Sequence, residues 1–258
     1  MGIVGEERNA VLLYVAYTSR ITRQPISVVI KGESSTGKSW LGTRVLRLMP
    51  RECYQELTDA TQQSFYYLQM EDLSHMIFYM QERPGTDKTD YSIRTLQSEG
   101  KITIQVTIKD PSTNEPVTKV KELLGPVMFC MTTTASTLNL ENETRQFSLF
   151  TDDSPKQTRL IFELVAHQAA SGILIELDAE ILEAWHNAQR ILKPYPVRIP
   201  YSWEIMESFP TEPYRVRRDL GRFLTLIEAI ALLHQYQHQH EEENGQEYIV
   251  ATLRDYAY

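Results

Sequence analysis

The eight residues Gly32-Glu33-Ser34-Ser35-Thr36-Gly37-Lys38-Ser39 constrain this chain more than any other stretch. They fit the spacing G-x-x-x-x-G-K-[ST] without deviation, and their flanks are of the kinds that the motif requires. Before them, "ISVVIKG" is β-branched and apolar, as in a strand buried in a parallel sheet. After them, "SWLGTRVLRL" sets Leu41, Val45 and Leu48 on one helical face, and Pro50 stops the helix. Gly32 and Gly37 let the backbone turn so that N–H groups point at phosphate oxygens, and the helix N-terminus adds its positive dipole end. Lys38 then reaches the β and γ phosphates and the Ser39 hydroxyl binds Mg2+, with Glu33, Ser34, Ser35, Thr36 and Trp40 completing the nucleotide-contacting set. ATP with Mg2+ is the expected ligand.

Around this loop the chain alternates strand and helix. Residues 7 to 19 place Val11, Leu12, Val15 and Ala16 on one helical face. "ATQQSFYYLQMEDL" is helical, Met76 to Met80 is a strand, and "SIRTLQSEG" is a helix closed by Gly100. "PVMFCMTTT" and "RQFSLFTD" supply further strands. The rhythm predicts an α/β fold, a parallel sheet in a three-layer αβα domain. Residues 101 to 121 break it: Ile102, Ile104, Val106 and Ile108 alternate with polar residues and "DPSTNEP" is a turn, so a β-hairpin is inserted.

Beyond about residue 155 the signals are helical. They comprise "DAEILEAWHNAQRIL" behind the N-cap Asp178, a link at Pro194, Pro196 and Pro200, and "YRVRRDLGRFLTLIEAIALLHQYQH". "QHQHEEENGQ" reads as a polar, exposed turn, and the closing "EEENGQEYIVATLRDYAY" as the start of a further helical pattern, as in a piece of a longer protein. The expected organisation is a core of residues 1–160, with the hairpin at about 101–124, followed by an all-helical lid of residues 161–258.

Lys and Arg total 26 against 34 Asp and Glu, a formal charge of -8, which excludes a general electrostatic pull towards nucleic acid or an anionic membrane. Any DNA contact must be local. Cys53 and Cys130 have no metal-type spacing, as expected of a reduced cytoplasmic protein. Neither a signal peptide nor a membrane-length apolar run is present, so no membrane partner is expected. His234, His238 and His240 have the i, i+4 spacing of a helical metal site, yet no carboxylate or cysteine partner is fixed nearby on the same face. They read as an exposed polar helix end.

The strand "IFYMQE" ends in Gln81 and Glu82, where a nucleotide hydrolase usually carries two acids. On a strand beside the loop strand, Glu82 would orient a water and take its proton. The Gln81 amide can accept from a Mg2+-bound water but brings no charge, which weakens metal support. In Thr132-Thr133-Thr134 a hydroxyl, Thr133 foremost, would meet the attacking water or the γ phosphate, although strand propensity accounts for threonines equally well. Arg145, Arg217 and Arg218 are candidates for contacts to phosphate, with a surface role as the plain alternative.

The order "GESSTGKS", "IFYMQE", inserted hairpin, "VMFCMTTT", "ETRQFSLFTDD" and "RRDLGRFLTLIEAIALLH" resembles AAA+ ATPases of the pre-sensor-1 hairpin group, particularly MCM-like helicases and the ATPase modules that accompany primase-like genes in phages and mobile elements. In that resemblance Arg145, with Phe147, Leu149 and Asp152, is similar to the arginine finger, and Arg218, Leu220, Glu228 and Ala229 are similar to the lid helix. It implies a ring, a hexamer foremost, because the family's finger completes a neighbour's site. It also implies a hairpin that grips DNA in the central channel, where Lys101, Lys109, Lys119 and Lys121 face Asp110, Glu115 and Glu122 for a net +1 (4 - 3). The same hairpin reads equally as solvated and ordinary in charge. The implied activity is an ATP-hydrolysing motor, a replicative helicase or translocase of a mobile element with replication proteins as partners. The chain departs from the group at Gln81 and at the threonines where many members carry a sensor Asn, which bears on rate more than on nucleotide binding. The alternatives are a loader or remodelling switch acting on a protein partner, and a P-loop kinase acting on a small molecule.

Overall fold

Apolar runs buried on both faces build the centre of the molecule. Strands β1 (Val28–Lys31), β2 (Tyr54–Leu57) and β3 (Met76–Met80) lead to a hairpin of β4 (Lys101–Lys109) and β5 (Pro116–Leu124), after which β6 (Val127–Thr133) and β7 (Phe147–Phe150) return to the main sheet. The computed structural model describes residues 1–57, 71–81, 87–109, 115–135, 143–173, 175–214 and 216–257, the side chains of 87–90, 108 and 109 excepted. Among them the sheet order is β2-β3-β6-β1-β7, with every pairing parallel. The segment 60–70 of the expected helix "ATQQSFYYLQMEDL" lies outside the described residues.

The order corrects one expectation. The strand that precedes Gln81 is not beside the loop strand: β6 lies between them, with Val28–Lys31 paired to Cys130–Thr133 and β3 paired to the other edge of β6. β3 and the first five residues of β6 are both apolar, so periodicity alone could not choose which is adjacent.

Helices α1 (Glu7–Thr18) and α2 (Lys38–Leu46) cover one face of the sheet, where Leu13, Tyr17, Ile30, Leu41, Val45, Tyr79 and Met128 share a core. On the other face α3 (Asp87–Glu99), closed by Gly100 at φ +66°, and the hairpin base bury Ile93, Leu96, Ile102, Ile104 and Leu123 against Phe78 and Phe129. This is the expected three-layer arrangement. The expected face of α1 is met in part: Val15 and Ala16 are buried as expected, together with Leu13, Tyr14 and Tyr17, whereas Val11 is 61% and Leu12 38% exposed. Two tyrosines, Tyr14 and Tyr17, take the place of Val11 and Leu12 on the buried face.

Past the sheet, α4 (Pro155–Ser171) starts on Ser154, whose hydroxyl accepts from the Gln157 amide, and ends at Gly172 with φ +69°. The expected domain junction at 160/161 falls inside this unbroken helix, so no linker exists there. Then come α5 (Ala179–Arg190), capped by Asp178 as expected, β8 (Val197–Arg198), α6 (Ser202–Ser208), α7 (Val216–Leu233), β9 (His240–Glu243), β10 (Gln246–Val250) and α8 (Leu253–Ala257).

The C-terminal part is therefore not all helical. β8, β10 and β9 form a small sheet, and Asn244-Gly245, both at positive φ, turn β9 into β10 in the manner of a two-residue hairpin. The charged HEEE run concealed a strand whose partner buries Ile249 completely. Ile249 joins Ile205, Ile227, Ala231 and Leu232 in a third core that also takes in Ile21, so α7 is seated on the first helical layer. No helix among the described residues is long and apolar enough to cross a membrane.

Burial pushes the Glu228 carboxyl on α7 up to about 7. A carboxyl raised on folding contributes its stability fully below its unfolded value, and that contribution is lost as pH rises through the folded one. Glu228→Gln should match the wild type near pH 4 and exceed it near pH 8 by on the order of 2 kcal/mol, read from thermal unfolding at the two pH values.

Candidate nucleotide site and arginine cavity

The loop leaves the sheet where three parallel strands end level: Lys31 is in register with Thr133 of β6 and with Phe150 of β7. Gly32 follows in a place with no room for a side chain, since a Cβ there would lie 2.2 Å from Thr151 Oγ1 and 2.7 Å from Thr36 Oγ1. The two threonine hydroxyls are bonded to each other at 2.8 Å and the Thr151 amide donates to Lys31 O at 3.0 Å, clamping both ends of the loop's first turn. Ser35 at φ +69° and Gly37 at φ +85° carry the chain through the left-handed region. For a non-glycine such as Ser35 that costs energy and is a mark of functional sites. The first helical bond of α2, Leu41 N to Gly37 O, is 2.8 Å long.

Lys38 is 8% exposed and its ammonium donates to Glu33 O at 2.6 Å, spanning the loop. It shares a cavity of about 270 Å³ with Ser34, Ser35, Ser39, Gln81, Thr132, Thr133 and Thr134. The Thr133 oxygen accepts the Ala135 amide at 3.1 Å, which leaves its O–H to donate into the cavity, as a phosphate oxygen or a water requires. Glu82 lies outside the described residues. The described oxygens here, the Ser39 hydroxyl, the Gln81 amide and the threonine hydroxyls, are neutral donors. They fit a Mg2+ ion whose charge is met mainly by the phosphates it arrives with.

Beneath α2 a buried layer of hydroxyls ties the loop to the sheet. Tyr79 donates to Ser39 O at 3.3 Å, and Tyr17 to Gly42 O at 3.2 Å and Cys130 Sγ at 3.3 Å. Burial raises both tyrosine hydroxyls and pushes the Cys130 thiol up to about 12, so all three stay neutral, the tyrosines donating and the thiol accepting. A Cβ on Gly42 would lie 2.6 Å from the Tyr79 ring, so helix and strand touch there. The sequence reading missed Tyr79, and its signal was the tyrosine two residues before Gln81, on the helix-facing side of the strand.

A second cavity, about 350 Å³, opens on the other side of Gly37. Ile3, Val4, Leu41, Ile161, Val165 and Ile175 make it apolar. Trp40 lines it too, donating to Gly2 O at 3.1 Å beneath the Arg44 guanidinium, 4.0 Å from its ring centre. Gln157, 5% exposed, holds the N-terminal segment in place by donating to Val4 O at 2.7 Å. An apolar cleft beside a phosphate cradle suits the base and sugar of a nucleotide. Except for Ser35, Thr36, Gly37 and Trp40, none of the lining residues was expected at the nucleotide site.

The arginines lie elsewhere. Arg145 and Arg218 both line a cavity of about 570 Å³ together with Arg23, Arg217 and Arg222. Ser27 and Val127 line it as well, at the N-terminal ends of β1 and β6, whereas the loop is at the C-terminal ends. The strand length between is roughly 17 Å, at about 3.3 Å per residue. Arg145 donates to Ser98 Oγ, Arg218 to Thr144 Oγ1 at 2.5 Å, and Arg222 to Thr144 O. Neither Arg145 nor Arg218 faces this chain's own loop.

The hairpin lysines are divided. In the register of β4 and β5, Lys119 and Lys121 oppose Val106 and Ile104 on one face, while Lys101 sits on the other face at the base, 3.7 Å from Glu122. Such an exposed pair contributes little. The side chain of Lys109 lies outside the description.

A glycine loop with a buried lysine, set between strand and helix on a parallel sheet, defines a P-loop NTPase domain, a nucleotide-binding class. The chain belongs to the MTBMA_p00010 P-loop domain family, whose model matches residues 3–194. No curated protein matches it.

Two glycines separate a spatial requirement from a conformational one. Gly32→Ala should abolish nucleotide binding and lower stability by about 1–3 kcal/mol, the usual cost of overpacking. Gly221→Ala, with nothing within 4 Å of the added carbon, should raise stability by about 0.5–1 kcal/mol and leave nucleotide binding intact. Nucleotide titration and denaturant unfolding of both variants measure this.

Proposed function

We propose that this chain is the ATPase module of a ring of like subunits that moves along DNA, in the manner of the AAA+ helicases it resembles. The observation that carries the reading is the separation of Arg145 and Arg218 from the loop: both line one cavity at the opposite end of the sheet. Head-to-tail packing would bring one subunit's arginines to its neighbour's phosphates, and repetition of that contact closes a ring.

In this reading the loop amides and Lys38 hold the β and γ phosphates, and Ser39 and Gln81 support the nucleotide's Mg2+, which neutralises phosphate charge. Water, oriented by the Thr133 hydroxyl, attacks the γ phosphorus and passes its proton to Glu82 while the bond to the bridging oxygen breaks and ADP leaves. The neighbour's Arg145 meets the charge that develops on the transferring group, with Arg218 beside it. The hairpin, rooted in the second core by Ile102, Ile104 and Leu123, is the element that contacts DNA.

A second reading, a switch that remodels a protein partner without unwinding, is favoured by Val117 and Val120, which are 39% and 62% exposed on β5. Apolar side chains there suit a protein surface better than a phosphate backbone. Robust ATP-dependent strand separation on a forked duplex would eliminate it. The kinase reading gives no role to arginines gathered so far from the loop.

Arg145→Ala should keep nucleotide binding and lose hydrolysis by about 10³-fold or more. Lys38→Ala should lose both. Mixed together, the two inactive variants should recover part of the turnover, because some interfaces then pair an intact loop with an intact arginine. Full hydrolysis by Arg145→Ala, or no recovery in the mixture, would refute a shared site.

A further inference from the structure

Helix α7 ends at Leu233, a short 3-10 turn of Gln235–Gln237 follows, and α8 comes back to pack against α7. That return brings an acid to two of the C-terminal histidines. Ligand atoms of His234, His238 and Asp255 all lie within 4.8 Å of one another. His238 Nε2 is 3.0 Å from Asp255 Oδ1, and His234 Nδ1 is 3.8 Å from the same oxygen. His240 does not join them: its Nδ1 meets Glu247 Oε1 and its Nε2 meets Gln235 O, each at 2.7 Å.

The carboxylate is held as a ligand would be. Asp255 is 2% exposed, and its other oxygen, Oδ2, accepts from the Thr252 amide at 2.7 Å and the Thr252 hydroxyl at 3.0 Å. Those bonds fix the carboxylate so that Oδ1 is turned to the imidazoles, the kind of outer support that orients metal ligands. Among the described residues, the cationic partners within 4.0 Å of this nearly sealed carboxylate are the two histidines, with no Lys or Arg. His234 Nδ1 also lies 3.0 Å from Ile230 O, but that carbonyl accepts the His234 amide at 3.2 Å and keeps it if the ring turns. The His234 side chain is 34% exposed, which gives an ion a way in and a water a place to bind.

We propose that His234, His238 and Asp255 bind a divalent cation of the Zn2+ type, with two imidazole nitrogens and one carboxylate oxygen at three tetrahedral positions and water at the fourth. The site joins the end of α7 to α8, whose Tyr256 packs edge-on against Tyr201 and Phe223. Its effect is to fasten the C-terminal elements on α7, independently of the nucleotide loop.

Titration of the nucleotide-free chain with Zn2+ alone should show one bound ion per chain and a rise in Tm that a chelator reverses. Asp255→Asn retains an oxygen for Thr252, and His234→Gln alters a partly exposed side chain, so both variants should fold. Each should weaken Zn2+ binding about tenfold or more, whereas His240→Gln and Ser39→Ala should not. No Zn2+-dependent change in Tm, or binding that survives both His234→Gln and Asp255→Asn unchanged, would overturn the site and leave a hydrogen-bonded clasp.

Discussion

The close approach of Gly32 to Thr151 is the contact on which the rest of this structure turns. Three parallel strands end at one level only because Lys31 is in register with both Thr133 and Phe150. The next residue must then pass a threonine hydroxyl at a distance that excludes any side chain. From that point the loop has one course. Its hydroxyls close on each other, Ser35 and Gly37 take up left-handed conformations, and Lys38 is delivered, nearly buried, across the loop's mouth. The Tyr79 hydroxyl then ties the start of α2 to β3, and the Tyr17 hydroxyl ties Gly42 of α2 to α1 and β6.

The same sheet has chemistry at both ends. Lys31, 1% exposed, pairs with Glu143 and lies 5.5 Å from the Phe150 ring centre, directly below the loop. Two residues beyond Glu143, Arg145 turns to Ser98 in the arginine cavity. The segment carrying the arginine is thus tied by a half-buried charge pair to the strand that carries the loop. In the proposed assembly of like subunits this would link a subunit's own nucleotide loop to the arginine proposed to reach its neighbour.

What could be read from the sequence was what is local. The loop, its strand and its helix were legible because their spacing is short and each glycine has a stereochemical reason. The hairpin was legible from the alternation of Ile102, Ile104 and Val106, and the Asp178 cap from its place before an amphipathic run. Strand order was not, because β3 and β6 are equally apolar and only long-range pairing puts β6 in the middle. The apolar cleft beside the loop was not, because residues 2–4 meet α4 about 150 positions away and neither segment carries a motif. The C-terminal hairpin was legible in principle, since Asn244-Gly245 is a strong turn signal, but four charged residues in β9 masked it. For the histidines, the carboxylate of Asp255 arrives from another helix, which no helical spacing reveals.

The central claim is that one active site is divided between two copies of this chain. The most direct test is the solution mass of the wild-type chain with Mg2+ and a non-hydrolysable ATP analogue, compared with the nucleotide-free chain. The account predicts a nucleotide-dependent closed assembly, a hexamer foremost, that Arg145→Ala weakens while each subunit still binds nucleotide. A chain that stays monomeric with nucleotide bound, and hydrolyses ATP at a rate independent of protein concentration, would contradict it.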